Sequence, residues 1–427
     1  MKSALQWAYT TERIPRGHWL QKGCSEEYAN EMEQMLSSFK QIIQSLRVGT
    51  VSDRIIIDFD LQDEDGNYLR ANHDELLLPY WEEFTAALKH WSDHYADDKY
   101  LEVLLQDIEL PKVVLDILRP AFEQSRLDSV FFRESGHSRD MTDFVNKVLH
   151  ANHFITDVGF GAIMFDQEDI KSICSAIKAR NFGGQFIKRL ELAECFEDGI
   201  ESQTLTMILE TVVAATSNNL VLSQNGMSSR EAGIIAEFLS VNPNISSLNV
   251  SDNRFDDADA ALLANALSNN ANLRDLTLND NPIKENGRLA FLRTIFDVSS
   301  LDLSASSNYT CQVYGLEQDI SALNFHEQSF SNKWEKIFTM LALSSDDSFV
   351  NTSLLEGVPA QLIPVLLNEA DYVADEDDNP ELTDLYLELT NAKRCQKHDA
   401  WDNLGVTKSL NCVYELMRCW AVPLIFA

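Results

Sequence analysis

The sequence lacks the features by which secreted and membrane proteins are usually identified. Its 427 residues contain seven cysteines, scattered along the chain without a Cys-x-x-Cys pair. So sparse and odd-numbered a set indicates reduced thiols inside a cell rather than a disulfide framework. Glu12, Arg13 and Arg16 interrupt the first apolar stretch, and no apolar run is long enough to cross a bilayer. We therefore expect no secretory leader, no membrane span and a cytoplasmic location, with the nucleus as an alternative.

Motifs of catalytic and metal sites are missing as well. The sequence contains no GxGxxG, GxxxxGK[ST], GxSxG or HExxH pattern, and its nine histidines are dispersed. The acidic stretch 54–72 fails as an EF-hand loop, because Leu61 and Asn72 would stand where Asp and Glu are needed. Cys395 and His398 lack the paired spacing of a zinc site. We predict that the protein is not an enzyme and holds no metal or cofactor.

Basic residues are scarce. There are 34 Lys and Arg against 67 Asp and Glu, which gives a formal net charge of −33. A chain of this charge repels nucleic-acid phosphates and anionic membrane surfaces, so we expect neither as a partner. Two interpretations of the charge remain open, namely solubility and a protein partner with a basic face.

Two copies of one motif dominate the sequence. ISSLNVSDN at 245–253 and LRDLTLNDN at 273–281 both read Leu-x-x-Leu-x-Leu-x-x-Asn, with Ile or Val at some Leu places. The apolar residues point inward from a short strand, and the residues between them point outward. The amphipathic helix DDADAALLANALSNN lies between the two copies. One such unit cannot bury both of its elements, so the pattern predicts a stacked array in which Asn253 joins an asparagine ladder.

Weaker copies extend the array in both directions. Units begin at residues 100, 127, 155, 187, 217, 245, 273 and 298, at steps of 27, 28, 32, 30, 28, 28 and 25 residues. Sequence that is compatible with a helix follows each unit. A doubly wound α/β domain also alternates strands and helices, but its strands are longer apolar runs and its spacing is less regular.

This pattern resembles the leucine-rich repeat of the ribonuclease-inhibitor-like class, which has a long period. The resemblance covers about residues 100–306 and is most specific over 187–303. It implies an α/β solenoid shaped like a horseshoe, with a parallel inner sheet, outer helices and protein binding as the activity. The consensus positions that carry over are the inward apolar set and the ladder positions Cys195, Asn225, Asn253 and Asn281. Ser306 departs from the pattern, as in a terminal repeat.

Capping regions are expected on both sides of a solenoid at 99–315, which has about eight repeats. Residues 1–98 contain predicted helices at 25–48 and 78–94, with a hairpin at 54–72 that turns at Asp65–Gly66. Residues 316–427 contain 19 acidic and 7 basic residues together with amphipathic stretches. We predict that they form an acidic helical cap or a small domain.

The outward strand residues are the candidate binding site, since this architecture usually binds partners on its concave face. The middle outward places are Leu104, Phe131, Gly159, Glu191, Val221, Asn249, Thr277 and Asp302, and the places after the strands are Asp107, Glu134, Glu194, Asp252 and Asp280. This face is partly apolar towards its N-terminal end and polar to acidic towards its C-terminal end.

The sequence thus favours a non-catalytic protein–protein interaction scaffold, a eukaryotic monomer whose partner is a protein, possibly a basic one. One alternative is a regulator of a small GTPase, since the class includes the activating protein of the Ran GTPase. Another is an inhibitor of a basic enzyme, which the acidic concave face would suit. The sequence does not identify the partner.

Overall fold

The computed structural model describes residues 13–63, 66, 68–213, 218–295, 307–317, 320 and 324. The strands are β1 (Arg54–Asp58), β2 (Leu61–Gln62), β3 (Tyr68–Leu69), β4 (Leu101–Gln106), β5 (Leu127–Arg133), β6 (Asp157–Gly161), β7 (Arg189–Ala193), β8 (Asn219–Val221), β9 (Ser247–Asn249), β10 (Asp275–Thr277) and β11 (Gln312–Tyr314). The helices are α1 (Arg16–Gln21), α2 (Glu26–Val48), α3 (Leu78–His94), α4 (Lys112–Gln124), α5 (Ser138–Ala151), α6 (Gln167–Phe182), α7 (Ser202–Val212), α8 (Ser229–Ser240), α9 (Asp257–Leu267) and α10 (Glu285–Ile295), with a short 3₁₀ helix at Glu75–Leu77.

Nine strands form one parallel sheet in the order β1-β4-β5-β6-β7-β8-β9-β10-β11. From α3 onward, helices alternate with strands, and each helix from α2 to α9 packs against the next one along the chain. Because neighbours in sequence are also neighbours in space, the helices form one continuous layer. The predicted α/β class with a parallel sheet is confirmed, and the architecture is compatible with a repeat solenoid.

The sheet begins earlier than the motif indicates. Arg54–Asp58, which the sequence suggests as part of a hairpin, pairs in parallel with β4 as the first strand of the sheet. Only β2 and β3 pair as an antiparallel hairpin. Ile55 and Ile57 point into the core and are buried, which explains why this apolar segment joins the sheet rather than a surface turn.

The sheet also ends differently from the prediction. The neighbour of β10 is Gln312–Tyr314, where the motif places the unit that begins at Val298. Cys311 and Val313 supply the buried side chains of this last strand. Residues 296–306, and almost all of the predicted C-terminal helical region, lie outside the described residues.

The core lies between the sheet and the helix layer. In β4 the side chains alternate between buried and half-buried, as expected for a sheet with one covered face. Leu248 and Leu276 of the two strongest repeats are fully buried, and they belong to a single apolar cluster that extends from Ile14 to Ile320. The inward set that the repeat pattern predicts is therefore the core.

One residue per repeat adopts a left-handed backbone conformation one or three residues after the strand. These residues are Asp107, Glu134, Ala162, Glu194, Gln224, Asp252 and Asp280, with φ between 46° and 58°. They recur at intervals of 27, 28, 32, 30, 28 and 28 residues, the steps that the motif gives. From Asp107 to Asp252, each backbone N–H donates to a carbonyl of the next repeat. This hydrogen bond helps to hold a conformation that non-glycine residues seldom adopt.

Buried asparagines connect consecutive repeats, as the sequence predicts. Asn253 Oδ1 accepts from the backbone N–H groups of Asn225 and Met227 at 3.1 and 3.0 Å, and its Nδ2 donates to the carbonyl of Leu222 at 3.1 Å. Asn225 and Asn281 make the corresponding bonds to the repeats before them. Cys195 occupies the same place, and its Sγ donates to the carbonyl of Phe160 at 3.5 Å.

Candidate functional site

The side chains of the sheet that point away from the helices form a regular surface, here called the open face. Its central row runs in one register across all nine strands and consists of Ile56, Leu104, Phe131, Gly159, Glu191, Val221, Asn249, Thr277 and Tyr314. Most of these side chains are half-buried, and Ile56 is exposed. The row places residues far apart in sequence side by side, one strand spacing from each other.

The structure brings most of the sequence-predicted site residues together. Phe131, Glu191, Val221, Asn249 and Thr277 all lie in the central row. Asp252 and Asp280 occupy the left-handed positions that follow β9 and β10, where both are exposed. Asp302 lies outside the described residues.

A pocket of about 220 Å³ opens on this face over β4 to β7. Two glycines of β6, Gly159 and Gly161, belong to its lining. A Cβ atom on Gly159 would stand 2.1 Å from Cδ1 of Phe131, so the phenyl ring leans into the space above that glycine. In the same way Arg133 leans over Gly161. Phe131 and Leu104 form the apolar wall of the pocket.

Three arginines at this pocket lie outside the residue set that the sequence analysis selected. Arg54, Arg133 and Arg189 line it, each close to a glutamate. Arg54 pairs with Glu102 at 2.8 Å, Arg189 with Glu191 at 2.6 Å, and Arg133 with Glu194 at 3.9 Å. The guanidinium of Arg189 also stands 5.2 Å from the centre of the Phe131 ring, within the range of a cation–π contact. These arginines occupy the outward places that flank the central row, whereas the predicted site residues belong to the central row and to the places after the strands.

Carboxylates gather where β1, β4 and β5 end. Burial raises the pKa values of Asp58, Asp107 and Glu134, and the charge of Asp107 raises those of Asp58 and Glu134 further. Arg133 acts in the opposite direction on the pKa values of both Asp107 and Glu134. Asp107 is 1% exposed, and its Oδ1 has no hydrogen-bond partner. This edge of the sheet is therefore crowded with negative charge.

The left-handed positions become more exposed along the array. Asp107 is buried, Glu134, Ala162 and Glu194 are half-buried, and the positions after β8, β9 and β10 are exposed. No Lys or Arg among the described residues forms an ion pair with Asp252 or Asp280. The open face thus has paired charges beside an apolar wall at one end and exposed carboxylates at the other.

Three features of the described residues bear on the kinds of site that they could form. Burial raises the pKa of Cys195 to about 12, so this thiol is not a nucleophile near neutral pH. Across the described ranges, no three or more His, Cys, Asp and Glu side chains are grouped so that they could hold a metal ion. No helix in the described part of the chain is long and apolar enough to cross a membrane.

No protein-family model matches the sequence, and no curated protein matches it significantly.

Proposed function

We propose that the chain is a leucine-rich-repeat protein of the ribonuclease-inhibitor-like class, and that it binds a protein partner on the open face without catalysing a reaction. On this proposal the sheet curves into a horseshoe and the open face is its concave side. The long repeat step and the buried asparagines support the assignment to the class.

The observation that carries the binding role is the central row of the open face. Nine strands present one aligned row that includes Ile56, Leu104 and Phe131, next to a pocket with paired charges. A sheet face that served only as a solvated surface would have little need of adjacent large apolar side chains. An apolar patch with polar and charged neighbours is the usual composition of a protein interface.

The second candidate, inhibition of a basic enzyme, rests on the charge of the same surface. Carboxylates outnumber arginines among the open-face positions, and Asp252 and Asp280 are exposed there. A basic protein would be attracted by this field, and its association would weaken as salt screens the charges.

Affinity capture with the full chain tests the proposal. The bait is compared with a variant in which Phe131, Glu191, Asn249 and Thr277 are all replaced by alanine. We expect the wild type to retain a defined partner that the variant loses, because these four side chains occupy the proposed contact surface. Retention at low salt but not at high salt would favour the basic partner.

The control variant carries four alanines on the exposed surface of the helix layer, at Asp116, Asp143, Lys171 and Glu237. Both variants are first checked for native circular dichroism. Equal retention of the partner by the open-face variant and the wild type would refute the proposed site, and loss in the helix variant alone would move the site to the outer surface.

A further inference from the structure

The two ends of the open face differ in chemistry, and the apolar end contains a cavity of side-chain size. Leu104 and Phe131 form its apolar wall, and Gly159 lies in its lining beneath the Phe131 ring. Its volume of about 220 Å³ is larger than one leucine or phenylalanine side chain. The surrounding arginines are each paired with a glutamate, so the pocket has no large excess of charge. A single large side chain that lays an apolar face on Leu104 and Phe131 suits this end.

Exposed carboxylates characterise the other end. Glu194 and Gln224 occupy left-handed positions and line the same pocket as the central row, which shows that this position borders the open face. Asp252 and Asp280 occupy the equivalent positions of the next two repeats and are exposed. A lysine or an arginine is the partner residue whose charge is complementary to these carboxylates.

The strand order fixes the distance between the two ends. Gly159 lies on β6, and Asp252 and Asp280 follow β9 and β10, three and four strands further along the sheet. At about 4.8 Å per strand, the separation measured across the strands is about 14 to 19 Å, which a peptide extended in that direction spans with about four to six residues.

From this geometry we infer that the partner presents an extended segment with one large apolar side chain about four to six residues from a pair of basic residues. The segment crosses the strands, with its apolar side chain in the pocket and its basic side chains at Asp252 and Asp280. This inference rests on the proposed function and specifies the chemistry of the partner.

The composition of the chain itself argues for a separate partner as the occupant. Residues 316–427 contain 19 acidic and 7 basic residues; their Lys393–Arg394 pair follows Leu389 by four residues but stands among Glu388, Asp399 and Asp402, so the region as a whole matches the exposed carboxylates poorly. A segment from another protein with clustered lysines or arginines is complementary to them.

Selection from a random peptide library displayed on phage, with the folded full chain as target, tests the inference. We expect the enriched peptides to share a large apolar residue about four to six positions from two basic residues. Synthetic peptides of the enriched sequences then provide affinities by fluorescence polarisation. Phe131→Ser should weaken their binding by tenfold or more, since a buried apolar contact is lost.

Charge substitution at the other end provides a second, milder test. Asp252→Asn with Asp280→Asn should weaken binding by about fivefold to thirtyfold at low salt and by less at high salt. Asparagine tolerates the left-handed conformation, so the backbone should be preserved. The matched control, Asp116→Asn with Asp143→Asn, removes the same charge from α4 and α5 and should have little effect.

The outcomes separate this inference from the proposed function. If the enriched peptides lack the paired pattern but still depend on Phe131 and Asp252, the open face binds and the inference is wrong. If they bind independently of the open face, the inference is wrong, and affinity capture with the open-face variant decides whether the proposed function fails as well. A library that yields no specific peptide overturns the inference of an extended segment, while affinity capture of a folded partner still tests the proposed function.

Discussion

Asparagine 253 allows the most direct test of what holds the repeats together. Its side chain is 6% exposed and makes five hydrogen bonds to backbone groups, two as acceptor and three as donor. In Asn253→Ala, all five backbone groups lose their hydrogen bond to this side chain. A buried backbone group left unsatisfied costs about 1 to 3 kcal/mol, and relaxation of the turn and entering water recover part of the total. We expect a loss of about 3 kcal/mol in the free energy of unfolding.

Urea unfolding followed by circular dichroism measures this loss, and hydrogen exchange localises it. The amides of Asn225 and Met227 donate to Asn253, so they should exchange faster in the variant. The amide of Cys195 donates to Asn225 instead and should remain protected. The matched control is Asn249→Ala, four residues earlier, where a half-buried side chain accepts one hydrogen bond at 3.0 Å from Ser251. That variant should lose about 1 kcal/mol or less.

The reasoning about the ladder would be refuted by a loss below about 1 kcal/mol in Asn253→Ala, or by equal losses in the two variants. Uniform loss of amide protection over the whole sheet would also contradict it. That result would mean that the substitution acts on global unfolding rather than on one turn.

Three further predictions concern other parts of the fold. Burial alone would raise the pKa of Asp74, but hydrogen bonds from His18, Lys22 and the backbone N–H of Leu76 hold that pKa at about 2. Asp74→Asn should therefore lower the free energy of unfolding at pH 7 by about 2 kcal/mol. In acid titrations, this difference from the wild type should shrink as pH falls from about 4 towards 2. Arg180→Met should lower thermal stability by at least about 3 kcal/mol in calorimetry, because it removes donors from buried carbonyls near β6, among them that of Asn152 at 2.7 Å. Gly159→Ala should displace the Phe131 ring and close the pocket, so its circular dichroism should stay native while its affinity for the open-face partner falls to the level of Phe131→Ser.

Much of the repeat architecture follows from the sequence because its signal is periodic. Each repeat needs inward apolar residues, a buried ladder residue and a turn, so weak units such as the one at Tyr100 are detected through their spacing. The left-handed residues after the strands recur at these same steps. Their identities also provide a signal, since Asp, Glu or Gln occupies six of the seven places.

The two end strands of the sheet could not be predicted from the repeat motif, because both lie outside its regular spacing. Ile55 of β1 pairs with Val103, 48 residues later, since helix α3 and the hairpin lie between them. Thr277 of β10 pairs with Tyr314, 37 residues later, so the last strand falls outside the regular step. The repeat period identifies neither strand, although the β-branched run Ile55–Ile57 is a local signal for the first.

The candidate site was predictable in its central row but not in its pocket. Outward places can be counted from the motif, and they align as expected from Phe131 to Thr277. The cavity instead depends on which outward places are empty, and the sequence DVGFG leaves two of them without side chains. Phe131 and Arg133 of β5 lean over the glycines of β6, so this contact depends on two neighbouring strands and cannot be read from the sequence of one repeat.

The ladder gives the array a direction. Asn225, Asn253 and Asn281 each satisfy the turn of the repeat before them, and the left-handed residues donate their backbone N–H groups to the repeat after them. Each repeat is thus completed by the one that follows it in the chain. During synthesis, a repeat that has left the ribosome still lacks hydrogen-bond partners until about one further period has been translated. Truncation from the two ends is therefore not equivalent, since each cut on the C-terminal side leaves an unfinished turn behind.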